Sequence, residues 1–350
     1  MPSATDDVRQ AIDAAGGAIR FDEFVSIALY GPHGFYTSAA TTGPGSEPSR
    51  TGRAGRRGDF LTSPEVGPLF GAVIARALDA WWVELGRPDP FVAVEVGAGP
   101  GTLARTVLAA RPKCIDALRY QAVEVSAAQR ALHPQNVASR SSMPSEPFTG
   151  VIIANELLDN LPFRLFVFDG GWREAYIAMD DSRFVERLVT PSEAPVSLPS
   201  TAAHGSRVAI QDAARVWVNN ALAQLEHGRL IVIDYCSNTD SMSTRPWREW
   251  LRTYVAHGRG VHYLSSVGEQ DITVDVAVDQ LPTPTSVSTQ TDFLRTHGID
   301  ELVNEGKSAW QGAAAAPDLT ALMMRSRIRE AEALLQPDGL GSFSVLEWCR

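Results

Sequence analysis

Cysteine is scarce. Cys114, Cys236 and Cys349 are the three in 350 residues, far apart and without a CxxC pair, which excludes a disulfide framework and a cysteine-zinc cluster. Reduced thiols fit a reducing compartment, and the cytoplasm is the expected location. Basic charge is also short, with 31 Lys and Arg against 41 Asp and Glu for a net charge of −10. No positive field exists to attract phosphates, so nucleic-acid binding is not expected. Apolar runs are of strand length, well under the ~20 residues that span a bilayer. The opening stretch Met1–Gln10 is polar, carries Asp6 and Asp7 and has no apolar leader core. Neither secretion nor membrane insertion is expected. His33 and His262 lack partners at ligand spacing, so no metal is expected, and no internal repeat points to a solenoid or propeller.

The chain does have the makings of a core. Hydrophobic residues make up 44% and charged residues 21%, with 28 Gly and 22 Pro, the composition of a globular protein that folds as one large domain or two smaller ones. Apolar positions over 8–30 predict two short helices broken at Gly16–Gly17. A stretch from Ala39 to Arg57, rich in Gly, Ser, Thr, Pro and Arg, reads as a mobile insertion. Ser63, Pro64 and Glu65 predict a helix start with Ser63 as N-cap, followed at helical spacing through Trp81.

From Phe91 the pattern changes to buried strands followed by helices. Strands are expected at Phe91–Val96, Arg119–Val125, Gly150–Ala154 and Arg229–Tyr235, each almost wholly apolar before a polar end, as parallel strands covered on both faces should be. Between the last two lies an excursion with short strands near Arg164–Phe168, Trp172–Ile177 and Arg183–Leu188, then a periodic helix over Ser206–Leu225. The end, Gly339–Leu340–Gly341 and Phe343–Trp348, reads as a closing edge hairpin. The expected fold class is α/β, a Rossmann-like doubly wound sheet over 89–350 with insertions at about 163–205 and 240–290, preceded by a helical cap over 1–88.

Three segments carry candidate chemistry. Gly97-Ala98-Gly99-Pro100-Gly101-Thr102 follows a buried strand and precedes a helix, so the backbone can pass closely beneath a ligand. The dinucleotide fingerprint needs glycine at 102, where Thr102 stands; the bland alternative is a plain tight turn. Glu124 ends the next strand, where a carboxylate can accept both hydroxyls of a ribose from either NAD or S-adenosyl-L-methionine. Asn155, Glu156 and Asp159 gather at the same sheet edge. Carboxylates there suit a sulfonium donor and a nitrogen acceptor, although Asn155 as an N-cap and acids complementing a helix dipole would look the same. Glu156 and Asp159, three apart, could share a helical face. Trp247, Trp250 and Tyr254 read as core.

The glycine spacing resembles the first motif of class I S-adenosyl-L-methionine-dependent methyltransferases. The wider set is Ala28–Pro32 with Gly34-Phe35-Tyr36, Gly58–Glu65, the glycine turn, Val123–Ser126 and Asn155–Asp159, continuing through Asp234-Tyr235, Thr244-Arg245, Gly268–Thr273, Gln290–Leu294 and Gly339-Leu340-Gly341. Together these resemble the MidA family of such methyltransferases, which includes a mitochondrial assembly factor of respiratory complex I. The resemblance covers nearly the whole chain. It implies a class I methyltransferase fold, S-adenosyl-L-methionine as cofactor and, from the mitochondrial relative, methylation of arginine nitrogen in a protein substrate such as a respiratory-complex subunit. By motif position, Gly97, Gly99, Gly101 and Glu124 would contact the donor, Asp59, Thr62, Ser63 and Pro64 would close over it, and Asn155, Glu156 and Asp159 would face the acceptor, with Asn155 also at the donor. The chain departs from the family at Cys236, where glycine is usual, at Phe35, where tyrosine is common, and in the 39–57 insertion. Two other readings stand beside it: a non-catalytic assembly or scaffolding protein that keeps the fold, and a nicotinamide oxidoreductase, which Thr102 weakens. An oligomer is compatible with all three.

Overall fold

A run such as Phe91–Val96 is apolar at five of six positions and buried at all six, which requires cover on both faces. In the computed structural model, which describes residues 2–37, 62–255, 258–313 and 318–350, it is the middle one of the five parallel strands of a seven-stranded sheet. The sheet strands in chain order are β1 Phe91–Val96, β2 Leu118–Val123, β3 Ala138–Arg140, β4 Phe148–Asn155, β5 Leu225–Asp234, β6 Ser286–Thr289 and β7 Ser344–Cys349. They lie side by side as β3-β2-β1-β4-β5-β7-β6. The pairs from β3 to β5 are parallel, and β7 is antiparallel to both neighbours. The chain moves outward from β1 through β2 to β3 and then returns to place β4 on the other side of β1. The loops after β1 and β4 therefore diverge and leave a crevice at their carboxyl ends, the switch point at which doubly wound sheets bind ligands.

The helices of seven residues or more among the described residues are α1 Ala4–Ala14, α2 Phe21–Tyr30, α3 Pro68–Glu84, α4 Thr102–Ala109, α5 Asp212–Ala223, α6 Gln290–Thr296, α7 Ile299–Gly312 and α8 Leu319–Leu334. Strand alternation divides the core between them. Phe91 and Ala93 of β1 pack with α3, α4 and the helices after β6, while Val92, Val94 and Val96 pack against Ala214, Val218 and Ala221 of α5.

A second core lies beside the sheet. Helices α1 and α2 bury Val8, Ile12, Phe21 and Phe24 against the 163–210 excursion and against residues 250–274. The short strand Ala18–Arg20 joins the antiparallel sheet of that excursion by pairing with Trp172–Asp180, so the N-terminal helices and the insertions share one hydrophobic interior. Helix α3 belongs to the other core.

Four local expectations are revised. Residues 18–20 are a strand and not part of a helix, because an unpaired edge of the insertion sheet is there to accept them. Arg207–Ile210 is a strand paired with Arg164–Phe168, and the helix begins only at Asp212; a short apolar run fits either state until its partner is known. Ser63–Val66 is a single turn separated from α3 at Gly67, with Thr62 and not Ser63 in the N-cap position. The terminal segment is no edge hairpin: β7 lies between β5 and β6. The insertion expected at 39–57, like Asp59, lies outside the described residues.

Candidate active site

The glycine turn after β1 follows from its residue types. Gly97, Gly99 and Gly101 have φ of 72°, 53° and 77°, left-handed values that side chains tolerate poorly. Such a turn exposes backbone to a cavity of about 340 Å³ at the carboxyl ends of β1, β2 and β4. Glu124, just past β2, points at the turn: Gly99 N–H donates to its Oε2 at 3.0 Å and Ser126 N–H to its Oε1 at 2.8 Å. Burial raises its pKa, and these two backbone donors work in the opposite direction. Each carboxylate oxygen keeps a lone pair for a hydroxyl.

His133 braces the turn from outside. Its Nε2 lies 2.9 Å from the Gly99 carbonyl and its Nδ1 2.8 Å from Ser139 Oγ, while Arg105 donates to the Pro100 and Leu132 carbonyls. Beneath the turn, Glu95 receives the Tyr120 hydroxyl at 2.8 Å, and burial pushes its pKa up to about 8. Thr62 and Pro64 line the cavity, but the Ser63 side chain does not: it is wholly buried and its hydroxyl donates to Gln290 Oε1 at 2.9 Å. Ser63 instead contributes its backbone, which hydrogen-bonds Glu156.

The third segment is acidic, half-buried at Asn155 and Glu156 and buried at Asp159. Asn155 ends β4 and donates through Nδ2 to Glu156 Oε1 at 2.9 Å. Glu156 has φ +50°, rare for a residue with a side chain, and its N–H donates to the Ile233 carbonyl at 2.8 Å. Glu156 and Asp159 do not share a helical face: the left-handed Glu156 turns the chain, and only Leu158–Asn160 forms a helical turn. The two carboxylates nevertheless line one chamber of about 70 Å³ beside the main cavity, with Asn160, Tyr235, Tyr254, Asp271 and Thr273 as its other walls. Glu156 and Asn160 line both spaces.

Burial and the negative charge of Asp234 push the Glu156 pKa up to about 8. Burial, Asp234 and Asp271 also raise that of Asp159. Asp234, at the carboxyl end of β5, accepts the Leu158 and Asp159 N–H groups at 2.9 and 3.3 Å, and burial raises it to about 7. Two aromatic side chains tie the N-terminal segment to this region: Tyr30 donates its hydroxyl to the Asn160 carbonyl at 3.2 Å, and Tyr36 hydrogen-bonds Asp271. Their rings stack, with centroids 5.6 Å apart and 19° between planes.

The rule that pointed to Glu124, an acid at the carboxyl end of a buried strand, would also have selected Asp234, which sequence reasoning gave no role. Tyr30, Tyr36 and Thr273 lie in segments that carry the family resemblance but were given no role, and His133 carries no local signal. Of the aromatic stripe read as core, Trp250 is buried in the second core, whereas Tyr254 lines the chamber.

The residues present fit S-adenosyl-L-methionine. The main cavity combines a left-handed backbone cradle, an anchored carboxylate and apolar walls at Val125, Met143, Leu157 and Leu161, which match an amino-acid chain, a ribose and a flat base.

Comparison with known proteins agrees. Residues 73–296 match the family described as "Putative S-adenosyl-L-methionine-dependent methyltransferase". A protein of Burkholderia thailandensis, whose crystal structure is bound to S-adenosyl-homocysteine, superposes with a TM-score of 0.79 at 25% identity, covering 99% of this chain and 92% of that one. The mitochondrial protein arginine methyltransferase NDUFAF7 of Mus musculus is 25% identical over 70% of this chain and 65% of its own length. Its Drosophila melanogaster homologue is 31% identical over 41% of each. The chain thus spans less than two thirds of these two relatives.

Their names also correct the expected location: both are mitochondrial proteins, which overturns the cytoplasmic placement. Three free cysteines do not single out the cytosol.

With a match over more than half its length, a sheet of doubly wound order and a cradle suited to the donor, the chain belongs to the MidA family of class I S-adenosyl-L-methionine-dependent methyltransferases, with that donor as its cofactor.

Proposed function

We propose that this protein transfers a methyl group to a nitrogen of a protein side chain, the arginine guanidinium. The observation that carries the reading is the acidic chamber, which shares Glu156 and Asn160 with the donor cavity. The names of the curated relatives, which are protein arginine methyltransferases, favour the same acceptor.

Gly97, Gly99 and Gly101 present backbone to the donor, and Glu124 takes the two ribose hydroxyls, at about 1.5–3 kcal/mol for each such bond to a charged acceptor. Thr62 and Pro64 close over the cavity. Bound S-adenosyl-L-methionine supplies an electrophilic methyl on a sulfonium whose sulfur keeps the electron pair of the broken S–C bond. Asn155 orients the Glu156 carboxylate through its 2.9 Å hydrogen bond. Glu156 and Asp159 hold the cationic acceptor with a nitrogen aimed at the cavity, and Glu156 accepts the proton that this nitrogen releases as its bond to carbon forms. Burial raises the Glu156 carboxyl to about 8, the guanidinium cation beside it favours its ionised form, and that carboxylate is the base. Positioning and preorganised charge supply most of the rate.

The test has two parts. Calorimetry with protein freed of co-purified ligand should give saturable binding of S-adenosyl-homocysteine; absence of binding ends the donor assignment. Incubation of the purified protein with tritium-labelled donor and extract from a deletion strain should label methylarginine in a protein, and label on lysine alone would end the acceptor assignment. If a Glu156→Gln variant that binds the donor but labels nothing fully rescues the deletion strain, the non-catalytic assembly reading replaces this one.

A further inference from the structure

The smaller chamber is built from two lobes. Glu156, Asp159 and Asn160 come from the end of β4 and Tyr235 from just past β5, whereas Tyr254, Asp271 and Thr273 come from two antiparallel strands, Leu251–Val255 and Asp271–Val274. In the register of those strands Tyr254 lies opposite Asp271. Alternation puts Thr273 on the same face as Asp271.

Two polar atoms of the chamber residues have no hydrogen-bond partner among the described residues: Oδ1 of Asp159, a residue 2% exposed, and Oγ1 of Thr273, a residue 4% exposed. Buried acceptors left unpaired are costly and uncommon, so their place in a cavity wall calls for a ligand that brings donors. Nearby cations are already engaged. Arg252 is paired with Asp275 at 2.7 Å and stacks on the Tyr235 ring at 4.8 Å, while Arg259 stacks on Tyr254 at 5.3 Å. At about 70 Å³ the chamber exceeds the ~10–15 Å³ one water needs but is far smaller than the donor cavity.

We propose that Thr273, with Tyr254 and Asp271, is the specificity-determining wall of this chamber, and that it selects a guanidinium over an ammonium ion. The proposal rests on the methyl-transfer reading and adds to it that the second lobe, not the sheet, chooses the acceptor. A guanidinium is planar, carries five donors in a fixed fork and can satisfy Asp159 Oδ1, Asp271 and the Thr273 hydroxyl together. An ammonium on a flexible stem offers three donors from one atom and leaves part of that wall unpaired. Asp271 is held for this task by Asn160 Nδ2 at 3.1 Å and by the Tyr36 hydroxyl, which makes the N-terminal segment a support for the wall.

The experiment titrates ethylguanidinium and n-butylammonium chlorides by calorimetry into the full-length protein, with and without saturating S-adenosyl-homocysteine. Ethylguanidinium should bind saturably and about tenfold more tightly than n-butylammonium. Thr273→Val, nearly isosteric and favourable in a strand, should weaken ethylguanidinium about 5- to 10-fold and leave S-adenosyl-homocysteine binding unchanged, while Thr273→Ser restores the affinity. The proposal is overturned if ethylguanidinium fails to saturate in both conditions, if n-butylammonium binds as well, or if Thr273→Val binds like the parent protein. Loss of S-adenosyl-homocysteine binding in the parent would instead remove the donor assignment, and the titration without it would still decide the chamber.

Discussion

The donor cavity and the acidic chamber share a wall but differ in how they are made. The floor of the cavity consists of segments that each end a strand of one sheet, Gly97–Gly101 after β1, Glu124 after β2 and Asn155 at the end of β4, with Tyr30, Tyr36, Thr62 and Pro64 of the N-terminal part as further walls. Its key contacts are local or cross one strand, as with Gly99 N–H on Glu124. The chamber joins the end of β4 to residues that lie far along the chain, after β5 and in the 251–274 strands, held by contacts such as Asn160 to Asp271 and Asp234 to the Leu158 N–H. The first is a turn that any sequence of suitable glycines can make, and the second exists only when two hydrophobic cores are docked. Donor binding should therefore depend on backbone shape, and acceptor choice on inter-lobe packing and charge.

Substitutions can break this division, and the largest effect is expected where the two spaces meet. Glu156→Gln keeps an oxygen for the Asn155 amide and the Ser63 backbone but removes the base, so methyl transfer should fall by about 10²–10⁴-fold with S-adenosyl-homocysteine affinity nearly unchanged. An equal loss in both would mean that Glu156 belongs to the donor side. Gly99→Val places a β-branched residue at φ 53°, a strain of about 1–3 kcal/mol, and puts methyl groups into the cradle. Donor affinity should drop on the order of 100-fold, read by calorimetry, while ethylguanidinium binding without donor persists.

Acid titration sharpens the contrast through stability. Burial holds Glu156 and Glu95 at about 8 and Asp234 at about 7, all above their unfolded values, so the folded state keeps protons that the unfolded chain has released. Their contribution is fully present below about pH 4 and is lost as pH rises towards 8. Thermal melting should show a lower Tm at pH 8 than at pH 5, with a shallower slope in Glu156→Gln; a parent Tm that rises over this range would refute the buried-acid account. The smallest effect belongs to His133→Ala, which removes one brace from the Gly99 carbonyl, worth about 1 kcal/mol. About fivefold weaker donor binding is expected, with the arginine-to-lysine preference unaltered.

Much of the sheet was legible because buried parallel strands announce themselves by composition. Phe91–Val96 is apolar at five of its six positions, and β4 and β5 come within a few residues of the expected ranges. Where a segment's state depends on a partner, local pattern fails: Arg207–Ile210 reads as the start of a helix until Arg164–Phe168 is beside it, and β7 reads as an edge until β6 covers it. The site divides the same way. Glu124 was recognisable from its place at a strand end, whereas Ser63, expected at the donor, spends its hydroxyl on Gln290.

The amino-acid order by itself determined the glycine turn, the carboxylate beyond β2 and the acidic run after β4, because each is a property of a few consecutive residues whose φ, pattern or charge is intrinsic. Only the tertiary structure decided that Tyr36, Tyr254, Asp271 and Thr273 face those acids, and that burial keeps Glu156 and Asp234 protonated well above the usual carboxylate range. Solvent exclusion and mutual charge are properties of the packed assembly, and no single segment of the chain carries them.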